Sequence, residues 1–169
     1  MFEYRFDKVN KFLDYLVKEE GFDPEYLRNN CVNDVGVGPV FVNLRNEYGF
    51  NVAFEFSDVP IVRCRSLVAE GGRDDDPKLL SFVNELTAKY LTHHFCVTHF
   101  GQVVVYFIVL FSDENFVPED LYGCYEGVSD LLARDIPALY DILGQQLPKT
   151  FENALAAKAD KDASDALGE

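Results

Sequence analysis

Basic residues are scarce in this sequence. Its 169 residues include 15 Lys and Arg against 29 Asp and Glu, a formal net charge of −14, and the pI is near 4.5. A protein that grips nucleic acid through phosphates must present clustered Lys and Arg. The densest basic pair here is Arg63 with Arg65, alternating on an expected strand. The same acidic surface would be repelled by anionic lipid. Nucleic acid and membrane are therefore not expected as partners, and the acidity serves solubility first. Long apolar runs are also missing. The longest, Val103 to Phe111, has nine residues, half of the ~18 that a membrane helix needs. Met1 leads into Phe2, Glu3 and Tyr4 with no basic or signal-like stretch, so the expected setting is the cytoplasm.

Cysteine is present but never in a metal-binding or redox spacing. Cys31, Cys64, Cys96 and Cys124 lie about thirty residues apart, so no CxxC pair exists. Free structural thiols in a reducing compartment are the expectation. His93, His94, Cys96 and His99 crowd into seven residues. On a strand, neighbours point to opposite faces. His94 and Cys96 would then be parted from His93 and His99, and a metal site is not expected. Asp74-Asp75-Asp76 lacks the spaced ligands and glycine of a calcium loop. It reads better as a helix start, with Asp76 as the cap and Pro77 at the first helical position.

Catalytic signatures are absent too. The sequence holds no GxSxG elbow, no GxxxxGK[ST] phosphate loop and no GxGxxG after a strand. Gly36-Val37-Gly38-Pro39 precedes a strand rather than opening a helix, which leaves it no dipole for phosphate. No catalytic residue, cofactor or metal ligand is assigned.

What is present is periodicity. Val9, Phe12, Leu13, Leu16 and Val17 mark a helix over residues 7–20. Residues 22–39 are irregular, with a possible helical turn near Pro24–Asn29. Strands are expected at Val40–Arg45, Phe50–Phe56 and Ile61–Val68. Leu79, Phe82, Val83, Leu86 and Tyr90 give a central helix. Strands Phe95–Phe100 and Val103–Phe111 follow. A helix opened by Pro118 carries Leu121, Tyr125, Val128 and Leu132, and a last helix is expected from Asp135 to just before Pro148. The order α-βββ-α-ββ-αα predicts an α+β fold with one antiparallel sheet and helices packed against it. Residues 1–148 form the expected domain, and 149–169 an acidic, alanine-rich, mobile tail.

Several stretches carry a family resemblance. Phe50–Phe56 with Ile61–Leu67 as a meander, the helix Pro77-Lys78-Leu79-Leu80-Ser81-Phe82-Val83-Asn84-Glu85-Leu86, strand Val103–Phe111, the Pro118–Leu121 helix opening and Asp135-Ile136-Pro137-Ala138-Leu139 resemble the YbjN-like family. These are bacterial sensory transduction regulators whose domain has the fold of type III secretion chaperones. The resemblance spans residues 5–147, and the irregular 22–39 region departs from it. It implies a non-enzymatic, dimeric domain that binds a protein partner or client segment. It offers no catalytic residue to carry over. A small-ligand sensor, or an enzyme whose site is invisible in one sequence, are the competing readings.

Strand Val103–Phe111 supplies the candidate interface. Val105, Phe107, Val109 and Phe111 share one face, and Val104, Tyr106, Ile108 and Leu110 share the other. One helical layer covers only one side of a sheet, so the second apolar face needs another cover. Gly123 and Gly127 lie four apart on the following helix, where they would admit another backbone. Val105, Phe107, Val109, Phe111, Gly123 and Gly127 are thus the expected homodimer surface. The alternative is that helices of the same chain cover both faces.

Overall fold

Helical stripes and strand alternation take their places in a computed structural model that describes residues 2–33 and 37–167. In chain order these are α1 (Asp7–Lys18), α2 (Pro24–Asn29), β1 (Cys31–Asn33), β2 (Val40–Arg45), β3 (Asn51–Phe56), β4 (Ile61–Ala69), α3 (Pro77–Lys89), β5 (His94–Val97), β6 (Val103–Leu110), α4 (Pro118–Leu143) and α5 (Lys149–Leu167). The six strands pair antiparallel throughout, in the spatial order β1-β2-β3-β4-β6-β5. This is the expected α+β layout with one antiparallel sheet. Helix α2 is the helical turn expected near Pro24–Asn29, and strand β1 is an addition within the 22–39 region. Met1, residues 34–36 (with Gly36 of the glycine cluster) and Gly168–Glu169 lie outside the described residues.

The helices gather on one face of the sheet. Val9, Phe12, Leu13 and Leu16 of α1 are wholly buried, and the Phe12 ring lies 5.2 Å from Phe54 and 5.8 Å from Phe56. Each such side chain contributes roughly 1.5–3 kcal/mol by leaving water. Tyr125 of α4 meets Phe54 from the same side at 6.1 Å. Helix α3 packs beside α4 and against β5, where Thr87 Oγ1 accepts from the Phe95 N–H at 2.9 Å and donates to its carbonyl at 3.3 Å. Asp76 caps α3 as expected, accepting from the Lys78 and Leu79 N–H groups, and Pro77 stands in the first turn.

Two expectations about the helices need correction. No helix begins at Asp135, because α4 runs unbroken from Pro118 to Leu143 with Pro137 inside it. Proline removes one backbone donor and ordinarily breaks a helix. Here Val128 and Leu132 before it, and Ile136, Leu139 and Tyr140 around and after it, form one buried stripe that holds both halves in line. Asp135 instead accepts from Lys89 Nζ at 3.0 Å and from the Tyr90 hydroxyl. The tail is the second case. Its described residues form helix α5, which begins by burying Phe151 completely between Tyr48 and Phe50, 5.3 and 5.5 Å away. The domain boundary at 148 therefore cut through the core.

The expected strand Phe95–Phe100 also stops early, at Val97. Gly101 turns the chain into β6 with φ +73°, and a Cβ there would lie 2.3 Å from the Gly72 carbonyl oxygen. The Gly72 N–H donates to the Gly101 carbonyl at 2.9 Å. Close approach and positive φ together demand glycine.

Candidate functional site: the outward face of the sheet

Strand pairing decides which residues of β6 face the helices. Val42, Phe54, Cys64 and Phe107 stand side by side across β2, β3, β4 and β6, and none is more than 4% exposed. Val105 and Phe111 are buried with them, and Val109 packs against the same core. The expected interface residues Val105, Phe107, Val109 and Phe111 thus belong to this chain's own core. The face left open is the other parity. Tyr106 is 37% exposed, Ile108 60% and Leu110 76%. Leu67 on β4 and Val32 on β1 add 40% and 53%. The reading in which the chain's own helices cover both faces is therefore overturned for these positions.

Polar groups run through the middle of this open face. Asn43, Ala53, Arg65, Tyr106 and His94 form one cross-strand row. The next row is Phe41, Glu55, Arg63 and Ile108. Arg63 donates to Glu55 Oε1 at 2.9 Å. Arg65 is exposed and has no ion pair among the described residues. Ala53 is the small residue between larger neighbours, and hollows of about 340 Å³ and 110 Å³ flank Arg65 on either side of it. The sequence had shown Arg63 and Arg65 alternating on one strand. Pairing β6 against them would have revealed that Tyr106 and Ile108 share their face.

Gly123 and Gly127 sit apart from this surface. A Cβ on either would meet nothing within 4 Å, so neither lets α4 approach its own sheet. Gly127 lines an open cleft of about 430 Å³ with Tyr90, Leu91, His93 and Leu131, and Leu91 there is 88% exposed.

The histidine–cysteine cluster is scattered. His93 stacks on Phe107 at 5.2 Å, and burial pushes its pKa down. His94 lies on the outward face, and His99 sits in the turn beside Asp74 at 3.1 Å. Among the described residues no three His, Cys, Asp or Glu side chains converge as a metal site. All four cysteines are free thiols, with burial raising the pKa of each.

A second concavity escaped the sequence reading. Asn46, Glu47, Tyr122, Tyr125, Glu126 and Ser129 line a cleft of about 360 Å³ between the β2–β3 turn and α4. Buried Asn46 shapes it, donating to Ser129 Oγ at 3.3 Å and accepting from the Phe50 N–H at 2.8 Å. The Tyr122 and Tyr125 rings lie 5.5 Å apart. Burial, then the charges of Glu20 and Glu126, push the Tyr122 hydroxyl up to about 12. Tyrosines stay neutral there while carboxylates supply negative charge, a lining suited to a cation. Tyr122 and Tyr125, three apart on a helix beside Glu126, were the available signal.

No family model, curated protein or solved structure matches the chain. Among the described residues no helix is long and apolar enough to cross a membrane.

Proposed function

We propose that this chain is a non-enzymatic protein-interaction domain, chaperone-like or regulatory, that receives a protein segment on the outward face of its sheet. The observation that carries the reading is the uncovered side of β6, where Ile108 and Leu110 stand 60% and 76% exposed next to Tyr106, with Leu67 exposed at the far end of the face. Exposed apolar surface of this kind is costly in water and marks interaction sites. The resemblance to the YbjN-like regulators and secretion chaperones supports the same class. Four free thiols accord with a cytoplasmic setting. We assign the expected homodimer to the open glycine side of α4, because pairing two outward faces would set arginines against arginines. In light scattering a mass of about 38 kDa, twice 19.2, is the expected result. A Gly127→Leu chain that stays folded should fall to the single-chain mass.

Pull-down from the native lysate tests the main reading. Wild-type protein should enrich a partner that an Ile108→Asp/Leu110→Asp double variant loses, with the melting temperature of the variant little changed. Equal recovery on both proteins would move binding off this face. The tyrosine–carboxylate cleft favours a second reading, a sensor of a small organic cation. Native mass spectrometry that finds a bound amine would support it.

A further inference from the structure

The outward face carries charge of the opposite sign to the rest of the molecule. Its strand positions hold Arg45, Arg63 and Arg65 against Glu55, whereas twelve Lys and Arg and twenty-eight Asp and Glu lie elsewhere. Arg65 stands at the centre without an ion pair among the described residues, and Arg63 shares only Glu55. Apolar groups sit at the two ends of the β4–β6 pair. Ile61 opposes Leu110 at one end, and at the other Leu67, 40% exposed, opposes Val104, which is itself only 6% exposed. Six residues of strand separate these ends, roughly 20 Å at ~3.3 Å per residue.

Resting on the interaction reading above, we infer that the partner segment is an acidic amphipathic helix, with carboxylates at the middle of its docking stripe and apolar residues at both ends. Each part of that description answers a feature of the face. The free surface is a sheet face, and sheet faces are covered by helices or by other sheets, while extended peptides add to edges. A helix of about 14 residues spans roughly 20 Å at 1.5 Å per residue, the distance between the two apolar ends. Its central carboxylates reach Arg65, whose planar fork takes a carboxylate in two parallel hydrogen bonds. A second copy docked face to face would meet the same arginines and gain no such pair. Electrostatic complementarity of this kind sets specificity and orientation more than bulk affinity.

The test uses the full chain and three labelled helical peptides of 14 residues. All have leucines at both ends of one face, and the two central positions of that face are Glu, Gln or Lys. In fluorescence anisotropy the Glu peptide should bind saturably, at least tenfold more tightly than the Gln peptide, with the Lys peptide weakest. Arg65→Glu should reverse the order, so that the Lys peptide becomes the tightest; the peptide series itself needs no variant to fold. Equal binding of Glu and Gln peptides would overturn the acidic inference and leave the interaction surface standing. Binding by none of the three would remove both. A dimer that Ile108→Asp converts to monomer would assign the face to a second copy and overturn the inference as well.

Discussion

Phe107 and Ile108 are neighbours on β6, yet one is 4% exposed and the other 60%. The row through Phe107 runs Val42, Phe54, Cys64, all apolar and all closed off by helices. One step along each strand, the row through Tyr106 runs Asn43, Ala53, Arg65 and His94. The inward face is apolar, Ser66 of β4 apart, because it has one neighbour, the helical layer, and that neighbour excludes water. The outward face mixes aliphatic ends with a cationic centre. A surface that only met water would need no aliphatic ends, and one that only sealed a core would need no arginines. The difference between the rows separates what holds the fold from what is free to recognise something else.

Substitution at those two neighbours should give the largest contrast. Phe107→Ala opens a cavity in a layer that cannot collapse around it, at a cost of about 3–5 kcal/mol. At roughly 2–4 °C per kcal/mol for a chain of this size, the melting temperature should fall by at least about 6 °C. Ile108→Ala removes a side chain already largely in water and should cost no more than about 0.5 kcal/mol. Comparable losses at both positions in calorimetry would mean that the outward face is covered in the free protein.

Much of the inward face is legible in the sequence. Strands β2, β3 and β4 alternate cleanly, with Val40, Val42 and Leu44 or Phe54 and Phe56 marking one parity. In α1 and α3, the stripes and the Asp76–Pro77 start fix phase and boundary. Strand β6 was different, because residues 103–111 are apolar at both parities and alternation carries no phase there. Its orientation comes from register with β4, in which Arg63 opposes Ile108 and Arg65 opposes Tyr106. That is long-range information, and without it the buried set reads as the interface. Helix α4 reads as two helices because Asp135 has the form of a helix cap, a local signal that a continuous buried stripe overrides. The segment of helix α5 reads from the sequence as a mobile tail, with a frayed helix as the alternative, because its anchor is one residue, Phe151, whose partners Tyr48 and Phe50 lie a hundred residues earlier. The tyrosine cleft is likewise assembled from the β2–β3 turn and α4, distant in sequence.

The parity of β6 depends on the turn that launches it. Gly101→Ala places a Cβ against the Gly72 carbonyl and forces a left-handed φ on a residue with a side chain. Strain of this type costs about 1–3 kcal/mol, so a melting temperature lower by several degrees is expected. The outward-face peptide binding should weaken with it if the register shifts. An unchanged melting temperature would show that the two glycine segments separate freely. At the far edge of the inward face, α5 offers a smaller effect. A chain ending after Leu155 keeps Phe151 and loses the exposed stretch Ala156–Asp162, the residues after it and the Lys158–Asp130 pair at 2.5 Å. Exposed pairs contribute about 0–1 kcal/mol, so the midpoint should move by only a few degrees, whereas Phe151→Ala in the full chain should lower it distinctly more. The reverse order would make the distal helix part of the core.

The smallest effect concerns His93, which stacks on inward-facing Phe107 at 5.2 Å. Burial, and secondarily the neighbouring His94, hold its pKa below the ordinary histidine value of 6.5. Its Nε2 is buried without a hydrogen-bond partner, so the neutral ring is the form that fits the folded chain. The sign of the pH effect follows. Between the lowered folded pKa and 6.5 the unfolded chain binds more protons, and stability rises with pH wherever that is so. His93 therefore contributes fully above about pH 6.5, and its contribution is lost progressively as pH falls toward the folded value. Denaturant midpoints measured from pH 7.5 down to 5 should decline, and part of that slope should vanish in His93→Phe, which keeps the ring contact and cannot titrate. Carboxylates such as Asp75, whose pKa Arg73 holds low, contribute to both proteins alike and cancel in the difference. If the two chains show parallel slopes through pH 6.5, the ring is solvated on the Phe107 side and the inward face is less tightly sealed at β5 than at β3.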